Sequence, residues 1–307
     1  MGLYIGIDGG GTKTKCVLAD DQLKILAEAE AGPTNPLAVG VDKSSEILFK
    51  LVQNVTRKTS VRSIEFVVIG LAGAGRKMIA GEIENRLKLL TKRKKVSIKN
   101  IKVLSDVEIA LEGAFAGAPG IILIAGTGSI VLGKNKNGKL FRAGGFGKVI
   151  GDEGSGYSIG KKALQSISKE LDGRGSKTFL TTILSQKFGI KNRDDLITAV
   201  YSSGFDIARF AEHVIAAAQL GDKIARNILA DESDELVCHI ETLYKQLGGK
   251  KISLCLSGGL LSSKNYYSNL LRRKIKKVFK DIEIKKNIYP HEIGAAVIAK
   301  KFVNKNR

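Results

Sequence analysis

The sequence has no tryptophan, only four prolines and no long apolar run. A membrane-spanning helix needs about 20 consecutive apolar residues, and the longest apolar segment here, near residues 121–125, is far shorter. Asp8 interrupts the N-terminal stretch where a signal peptide would need apolar residues. We therefore expect a globular chain that crosses no membrane and resides in the cytoplasm.

Cysteine and histidine are also scarce. The whole set comprises Cys16, Cys238, Cys255, His213, His239 and His291. Neither residue type shows the paired spacing that is typical of zinc sites, iron–sulfur clusters or disulfide frameworks. The sequence thus argues against a transition-metal site built from protein ligands, and we expect the cysteines to be buried packing residues.

Acidic residues are outnumbered, because Lys and Arg exceed Asp and Glu by 20. The excess clusters at residues 88–102, 245–251, 272–286 and 300–307. Such clusters can bind nucleic acid, but these lack interleaved aromatic residues and no recognition-helix, RNA-recognition or zinc-finger pattern accompanies them. We interpret them as solvated faces and expect no nucleic-acid partner.

The hydrophobic periodicity predicts the order βββαβαβα twice. The first series comprises strands at 3–7, 14–19 and 23–30, a helix at 43–58, a strand at 64–69, a helix at 77–92, a strand at 101–104 and a helix from about 107. The second comprises strands at 121–124, 130–132 and 139–143, a long helical region from about 155, a strand at 252–256, a helix at about 263–278, a strand at 282–286 and a last helix after Pro290.

This repetition predicts an α/β protein with two related lobes. The N-terminal lobe would comprise residues 1–118, joined by the C-terminal helix at 291–307. The C-terminal lobe would comprise residues 119–290, with a helical insertion at 155–250.

Each half contains one glycine turn between two strands, at residues 9–12 and 126–129. Glycine lets backbone N–H groups approach phosphate oxygens closely. The first turn is neither a Walker loop nor a dinucleotide fingerprint, because no Gly-Lys-Ser/Thr sequence and no helix follows it. A plain hairpin explains one such turn, whereas two corresponding turns, each followed by a hydroxyl residue, favour binding of a polyphosphate.

Two aspartates follow strands in the first half. Asp8 ends the first strand beside the glycine turn, where a carboxylate could hold Mg²⁺ directly or through water, or could simply cap the turn. Asp106 follows the strand at 101–104, and the carboxyl ends of strands in open α/β sheets face the ligand. Its alternative role is the N-cap of the following helix.

Two more segments could contact a small polar ligand. Residues 144–156 contain six glycines with one aromatic and two acids, so Phe146 could pack on an apolar face while Asp152 or Glu153 accepts hydrogen bonds from hydroxyl groups. Asn35 lies in a rigid Pro-Thr-Asn-Pro turn that could aim it at the same ligand, although asparagine in a turn is commonly structural.

These segments resemble the N-acetylglucosamine kinases and the related BadF/BadG/BcrA/BcrD-type ATPases of the actin-like (ribonuclease H-like) superfamily. The matching motifs are DGGGTKT from Asp8, PTNP from Pro33, SD at Ser105, GTGS from Gly126, GGFGKVIGDEGSGY from Gly144, AAAQLGD from Ala216 and LSGG from Leu256. The resemblance covers nearly the whole chain and implies a two-lobed fold with the nucleotide between the lobes.

The resemblance also implies roles for individual residues. ATP would be bound by Gly10, Gly11, Thr12, Lys13, Gly126, Thr127, Gly128, Ser129, Ala217, Gly258 and Gly259. The sugar would be bound by Asn35, Asp106, Gly145, Phe146 and Asp152. Asp106 would also be the catalytic base, and Asp8 would hold Mg²⁺.

The implied activity is ATP-dependent phosphorylation of an amino sugar at a hydroxyl group. The 6-hydroxyl is the expected position. N-acetylglucosamine, glucosamine and N-acetylmuramic acid all remain open as acceptors, and so does assembly into a homodimer. The alternative is a regulatory or activator ATPase without sugar kinase activity. The cysteine pattern of the dehydratase activators is missing, and the loop at 144–156 suits a sugar, so the kinase is favoured.

Overall fold

The computed structural model describes residues 2–59, 63–93 and 97–305. The chain forms two compact units: residues 1–120 with 286–307 make unit 1, and residues 121–285 make unit 2. Parts of the basic clusters, namely residues 94–96 and 306–307, lie outside the described residues. None of the described helices is both long and apolar enough to span a bilayer.

Unit 1 contains a mixed five-stranded sheet and five helices within its described residues. Its elements are β1 (Tyr4–Gly9), β2 (Thr14–Ala19), β3 (Ile25–Ala31), α1 (Pro36–Val39), α2 (Val41–Thr59), β4 (Ile64–Leu71), α3 (Lys77–Arg93), β5 (Ile98–Ser105), α4 (Asp106–Phe115) and α11 (His291–Lys305). The strand order is β3-β2-β1-β4-β5, and β1, β4 and β5 are parallel.

The last helix of the chain completes unit 1. It packs on β1 and α4, with Ala295 and Ala299 fully buried beside Tyr4 and Ile109. The approach is so close that a Cβ atom on Gly6 would lie 2.0 Å from the carbonyl oxygen of Glu292. This contact brings the start of α11 to the end of the sheet where β1 terminates.

Unit 2 contains the second sheet and a helical region. Its elements are β6 (Gly120–Ala125), β7 (Ser129–Lys134), β8 (Leu140–Gly144), α5 (Gly156–Leu171), α6 (Phe179–Phe188), α7 (Arg193–Tyr201), α8 (Ala211–Gln219), α9 (Lys223–Gln246), β9 (Ile252–Ser257), α10 (Tyr266–Val278) and β10 (Ile282–Lys285). The strand order in this sheet is β10-β9-β6-β7-β8. Taken from the β8 edge, it is the order of the first sheet, with β6 to β10 in the places of β1 to β5. The duplication predicted from the sequence is therefore present in the strand topology.

Several predicted boundaries and one burial prediction were wrong, and β5 begins at Ile98 rather than at residue 101. The third strand begins at Ile25 rather than at residue 23, because Leu23 has φ of 62° in a turn closed by Asp20, whose carboxylate accepts from the backbone N–H of Lys24. The tenth helix begins at Tyr266 rather than near 263, because Asn265 caps it. Cys238 is exposed, whereas the other two cysteines are buried.

Candidate active site

Unit 1 brings Asp8, Asp106 and His291 together at one edge of its sheet. Asp8 is the penultimate residue of β1, and Asp106 follows β5, so both lie at the carboxyl ends of parallel strands. Nδ1 of His291, the first residue of α11, lies 3.4 Å from Oδ2 of Asp8, and both side chains are 28% exposed. The site therefore combines two carboxylates with an imidazole.

The charges of these three groups influence one another. Burial raises the pKa of Asp106, and the neighbouring Asp8 raises it further, while its bond to the Val107 N–H and the charge of His291 act in the opposite direction. Burial lowers the pKa of His291, but the hydrogen bond to Asp8 and the charges of Asp8, Glu292 and Asp106 outweigh this effect and raise it. A raised pKa makes the Asp106 carboxylate a better proton acceptor.

The helix cap that the sequence offers at Ser105-Asp106 is present, with Ser105 as the capping residue. Ser105 is the N-cap, and its N–H and hydroxyl both donate to the Glu108 carboxylate, at 3.0 and 2.7 Å. Asp106 occupies the first helical position, where its carboxylate accepts from the adjacent Val107 N–H at 2.9 Å. Its side chain is half-buried rather than enclosed.

The first glycine turn is a tight hairpin whose tip is open. The Gly10 N–H donates to the Lys13 carbonyl at 3.0 Å, which closes the turn. Gly11, Thr12 and Lys13 are exposed. Exposed backbone N–H groups of this kind can bind phosphate oxygens.

The second glycine turn, in unit 2, is closed by a backbone bond of shorter span. The Gly126 N–H donates to the Gly128 carbonyl at 2.9 Å, and Thr127 is exposed at the tip. The side chain of Ser129 is buried, and its hydroxyl donates to the Glu153 carbonyl at 2.5 Å. Ser129 therefore connects the turn to the loop at 144–156.

The loop at 144–156 exposes Phe146 and folds Asp152 inward. Phe146 is 72% exposed. Asp152 has φ of 60°, and its carboxylate accepts from the Gly147 N–H at 3.2 Å. Burial raises the pKa of Asp152, although its backbone hydrogen bonds to Gly147 and Ser129 act against the rise. Gly145 lies beside Arg142, which donates to its carbonyl.

The remaining predicted residues differ in accessibility. Asn35 is half-buried in unit 1 and caps α1, with its amide oxygen accepting from the Leu37 N–H at 3.0 Å. In unit 2, Ala217 is fully buried, so its side chain has no surface to offer adenosine. Gly258 packs on β6, where an added Cβ would lie 2.3 Å from the Ala125 carbonyl, whereas Gly259 has open space at that position.

Sequence reasoning missed His291 and Glu232. His291 had been dismissed with the other scattered histidines, although its position after Pro290 at the start of a helix was an available signal. Glu232 of α9 is buried and accepts from the Gly154 N–H at 2.5 Å. Its position within a long amphipathic helix gave no indication of that contact.

Comparison with known proteins now gives the family. The family model described as the BadF/BadG/BcrA/BcrD ATPase family matches residues 5–299. The chain belongs to this family. Its resemblance to these ATPases and to N-acetylglucosamine kinases, expected from the motifs, is confirmed.

Family members with assigned activities align over nearly the whole chain. An N-acetylmuramic acid/N-acetylglucosamine kinase from Clostridium acetobutylicum is 34% identical, covering 98% of this chain and 99% of its own length. An N-acetyl-D-glucosamine kinase from Dictyostelium discoideum is 32% identical, with 97% of each chain covered.

Among solved structures, a candidate N-acetylglucosamine kinase from Chromobacterium violaceum superposes with a TM-score of 0.76 at 25% identity, covering 98% of this chain and 99% of that one. The predicted fold class, an α/β fold of the actin-like ATPase type, is confirmed.

Proposed function

We propose that this ATPase-family member transfers the γ-phosphoryl group of ATP to a hydroxyl group of an amino sugar. The observation that carries the proposal is Asp106, a half-buried carboxylate with a raised pKa beside Asp8 at the carboxyl edge of the unit 1 sheet. The activities assigned to the Clostridium and Dictyostelium relatives support the substrate class. Use of ATP suits the cytoplasmic location expected from the sequence.

Asp106 is proposed as the general base. Its carboxylate would accept the proton of the attacking hydroxyl while the oxygen attacks the γ-phosphorus in line with the departing ADP oxygen. Phosphoryl transfer depends largely on positioning and on stabilisation of charge. The proposal assigns phosphate binding to the turns at 10–13 and 126–129, with Gly258 and Gly259 near the nucleoside.

Mg²⁺ fits the residues at this site. The described residues contain no group of three or more His, Cys, Asp and Glu side chains arranged to hold a metal ion, and Mg²⁺ characteristically uses one or two carboxylates together with substrate phosphates and water. Asp8 is the carboxylate that would hold it, directly or through water. When bound, Mg²⁺ would neutralise charge on the phosphate oxygens.

The residues proposed to bind the sugar are Asn35 and Asp106 in unit 1 and Gly145, Phe146 and Asp152 in unit 2. Asp106 and Asp152 provide hydrogen-bond acceptors for hydroxyl groups, and the exposed ring of Phe146 provides an apolar surface for a sugar face or an N-acetyl group. We propose the 6-hydroxyl as the phosphoryl acceptor, because a primary hydroxyl is the least hindered on such a sugar.

A coupled ADP-release assay over a panel of sugars tests this function. We expect ADP release with MgATP to depend on N-acetylglucosamine, N-acetylmuramic acid or glucosamine, and to stop when EDTA removes the divalent cation. Mass spectrometry and NMR of the product would identify the phosphorylated hydroxyl. ATP hydrolysis at one rate with every sugar and with none would instead support the regulatory ATPase.

A further inference from the structure

One face of α9 lies against both ends of the loop at 144–156. Glu232, Leu236 and His239 follow the i, i+4, i+7 spacing that places side chains on one side of a helix. His239 packs against Gly144, where the loop begins, and Leu236 packs against Gly154, near its end. The loop that contains Phe146 and Asp152 is thus attached to a rigid helix at each end.

Glu232 makes the polar part of this attachment. Its side chain is 1% exposed, Oε2 accepts from the Gly154 N–H at 2.5 Å, and Oε1 lies 2.7 Å from Nζ of Lys162 on α5. A hydrogen bond with an ionised acceptor is roughly twice as strong as a neutral one. Tyr267 of α10 adds a second bond to the same residue, because its hydroxyl donates to the Gly154 carbonyl at 3.0 Å.

Further hydrogen bonds connect Gly154 to the residues of unit 2 that are proposed to bind the sugar and the phosphates. Gly154 is two residues from Asp152, and the Glu153 carbonyl between them accepts from the Ser129 hydroxyl at 2.5 Å. The Gly156 N–H donates to the Gly126 carbonyl at 2.7 Å. Residues 152–156 are therefore fixed between α9 and the turn at 126–129.

We propose that Glu232 is a positioning residue that holds the loop at 144–156 through Gly154, so that Asp152 keeps the orientation needed to bind the sugar. Asp152 has a backbone conformation with positive φ, which is unfavourable for a residue other than glycine and persists only where its surroundings impose it. The bond from the Gly154 N–H to Glu232, two residues along the chain, is one of the buried contacts that impose it. This role rests on the proposed sugar kinase function.

Hydrogen exchange tests the attachment without reference to any activity. Glu232→Gln keeps the volume and one acceptor but loses the charge, whereas Glu232→Met loses both. Glu235→Gln is the matched control, because Glu235 is exposed on the same helix. Amides of residues 147–156 should exchange fastest in Glu232→Met, more slowly in Glu232→Gln and slowest in the wild-type protein. Exchange in Glu235→Gln should equal that in the wild type. Equal exchange in all four proteins overturns the attachment.

Kinetics test the positioning role. With N-acetylglucosamine as the probe, Glu232→Gln should raise the sugar KM about three- to tenfold, in keeping with the weaker neutral hydrogen bond, and Glu232→Met should raise it further. In the double variant Asp152→Asn/Glu232→Gln, the effect should be no larger than that of Asp152→Asn alone, because both changes act through one side chain. Effects that multiply in the double variant overturn the route through Asp152.

Two further comparisons show whether a failed experiment contradicts the attachment or the proposed function. If Glu232→Met does not fold, Lys162→Gln removes the cation from the same carboxylate and should accelerate exchange at 147–156; unchanged exchange there counts against the attachment. If the wild-type protein phosphorylates no amino sugar, the proposed function fails, while the exchange experiment still decides whether Glu232 holds the loop.

Discussion

Nδ1 of His291 lies 3.4 Å from Oδ2 of Asp8 and so connects the start of α11 to the end of β1. The imidazole lies beside two carboxylates that coexist at this edge of the sheet. Asp8 favours the protonated form of His291, and the charge of His291 in turn lowers the pKa of Asp106. The pair therefore affects both the stability of unit 1 and the ionisation of the proposed base.

His291→Gln should destabilise the protein more at pH 6 than at pH 9. Because the folded-state pKa of His291 is raised above 6.5, its contribution to stability is complete below the unfolded pKa and is lost as the pH rises through the folded pKa. We expect a loss of about 1 kcal/mol at pH 6, which corresponds to about 2–4 °C in Tm. Thermal unfolding in EDTA measures this effect on the free protein.

His213→Gln provides the contrasting control. Burial, followed by the nearby Lys187, lowers the pKa of His213, so the wild-type histidine gives no extra stability at acid pH. Its replacement should not produce a loss that is greater at pH 6 than at pH 9. The same pH dependence in both variants would contradict the role of the Asp8 contact.

Asp106→Asn should separate catalysis from stability. A general base contributes about 10² to 10⁴ in rate, so kcat should fall by that order while sugar Kd changes far less. Since the pKa of Asp106 is raised, its ionised form costs stability at neutral pH. The variant should unfold at the same or a higher temperature at pH 7, and this difference should shrink as the pH falls through the Asp106 pKa. A near wild-type kcat would contradict the assignment of Asp106 as the general base.

Gly128→Ala should impair sugar binding more than Gly126→Ala does. A Cβ atom on Gly128 would lie 2.8 Å from Oδ2 of Asp152, whereas the nearest atom to a Cβ on Gly126 is the Gly259 nitrogen at 3.9 Å. Both changes alter the phosphate turn, but only the first displaces the proposed sugar ligand. Isothermal titration with N-acetylglucosamine measures the difference, and equal sugar Kd values for the two variants would contradict the assignment of Asp152.

Phe146→Ala should weaken sugar binding without destabilising the fold. Phe146 is 72% exposed, so its removal costs little buried surface, and we expect a Tm change within about 1–2 °C for a surface change of at most about 0.5 kcal/mol. The sugar KM should rise about tenfold, as for loss of an apolar contact worth about 1–3 kcal/mol. Val149→Ala, in the same loop and 81% exposed, is the control. A larger sugar effect at Val149 would argue against a ring contact at Phe146.

Local patterns were sufficient to predict the sheets and the turns. The runs that became β1, β4 and β6 are apolar and bounded by glycine, and the turn of Gly9 to Thr12 follows its strand directly. Alternation and turn chemistry act between neighbouring residues, so both can be read from the sequence. The repeated strand order then followed from the repeated pattern.

The contacts that complete the site could not be predicted in this way. His291 meets Asp8, and Glu232 meets Gly154, only because the tertiary fold brings distant segments together. The bond from the Ser129 hydroxyl to the Glu153 carbonyl likewise joins segments that are 24 residues apart. Side-chain direction in a packed core depends on neighbours that no local pattern contains.

The position of α11 has a consequence for synthesis of the chain on the ribosome. All of unit 2 precedes α11 in the sequence. β1 and α4, which α11 covers, are therefore made long before α11 is available to pack on them. Domains generally fold as units while the chain is being made. Unit 2 should therefore acquire its structure on the nascent chain while α4 still exposes Ile109 and β1 still exposes the backbone around Gly6. A ribosome-bound chaperone would have access to these surfaces.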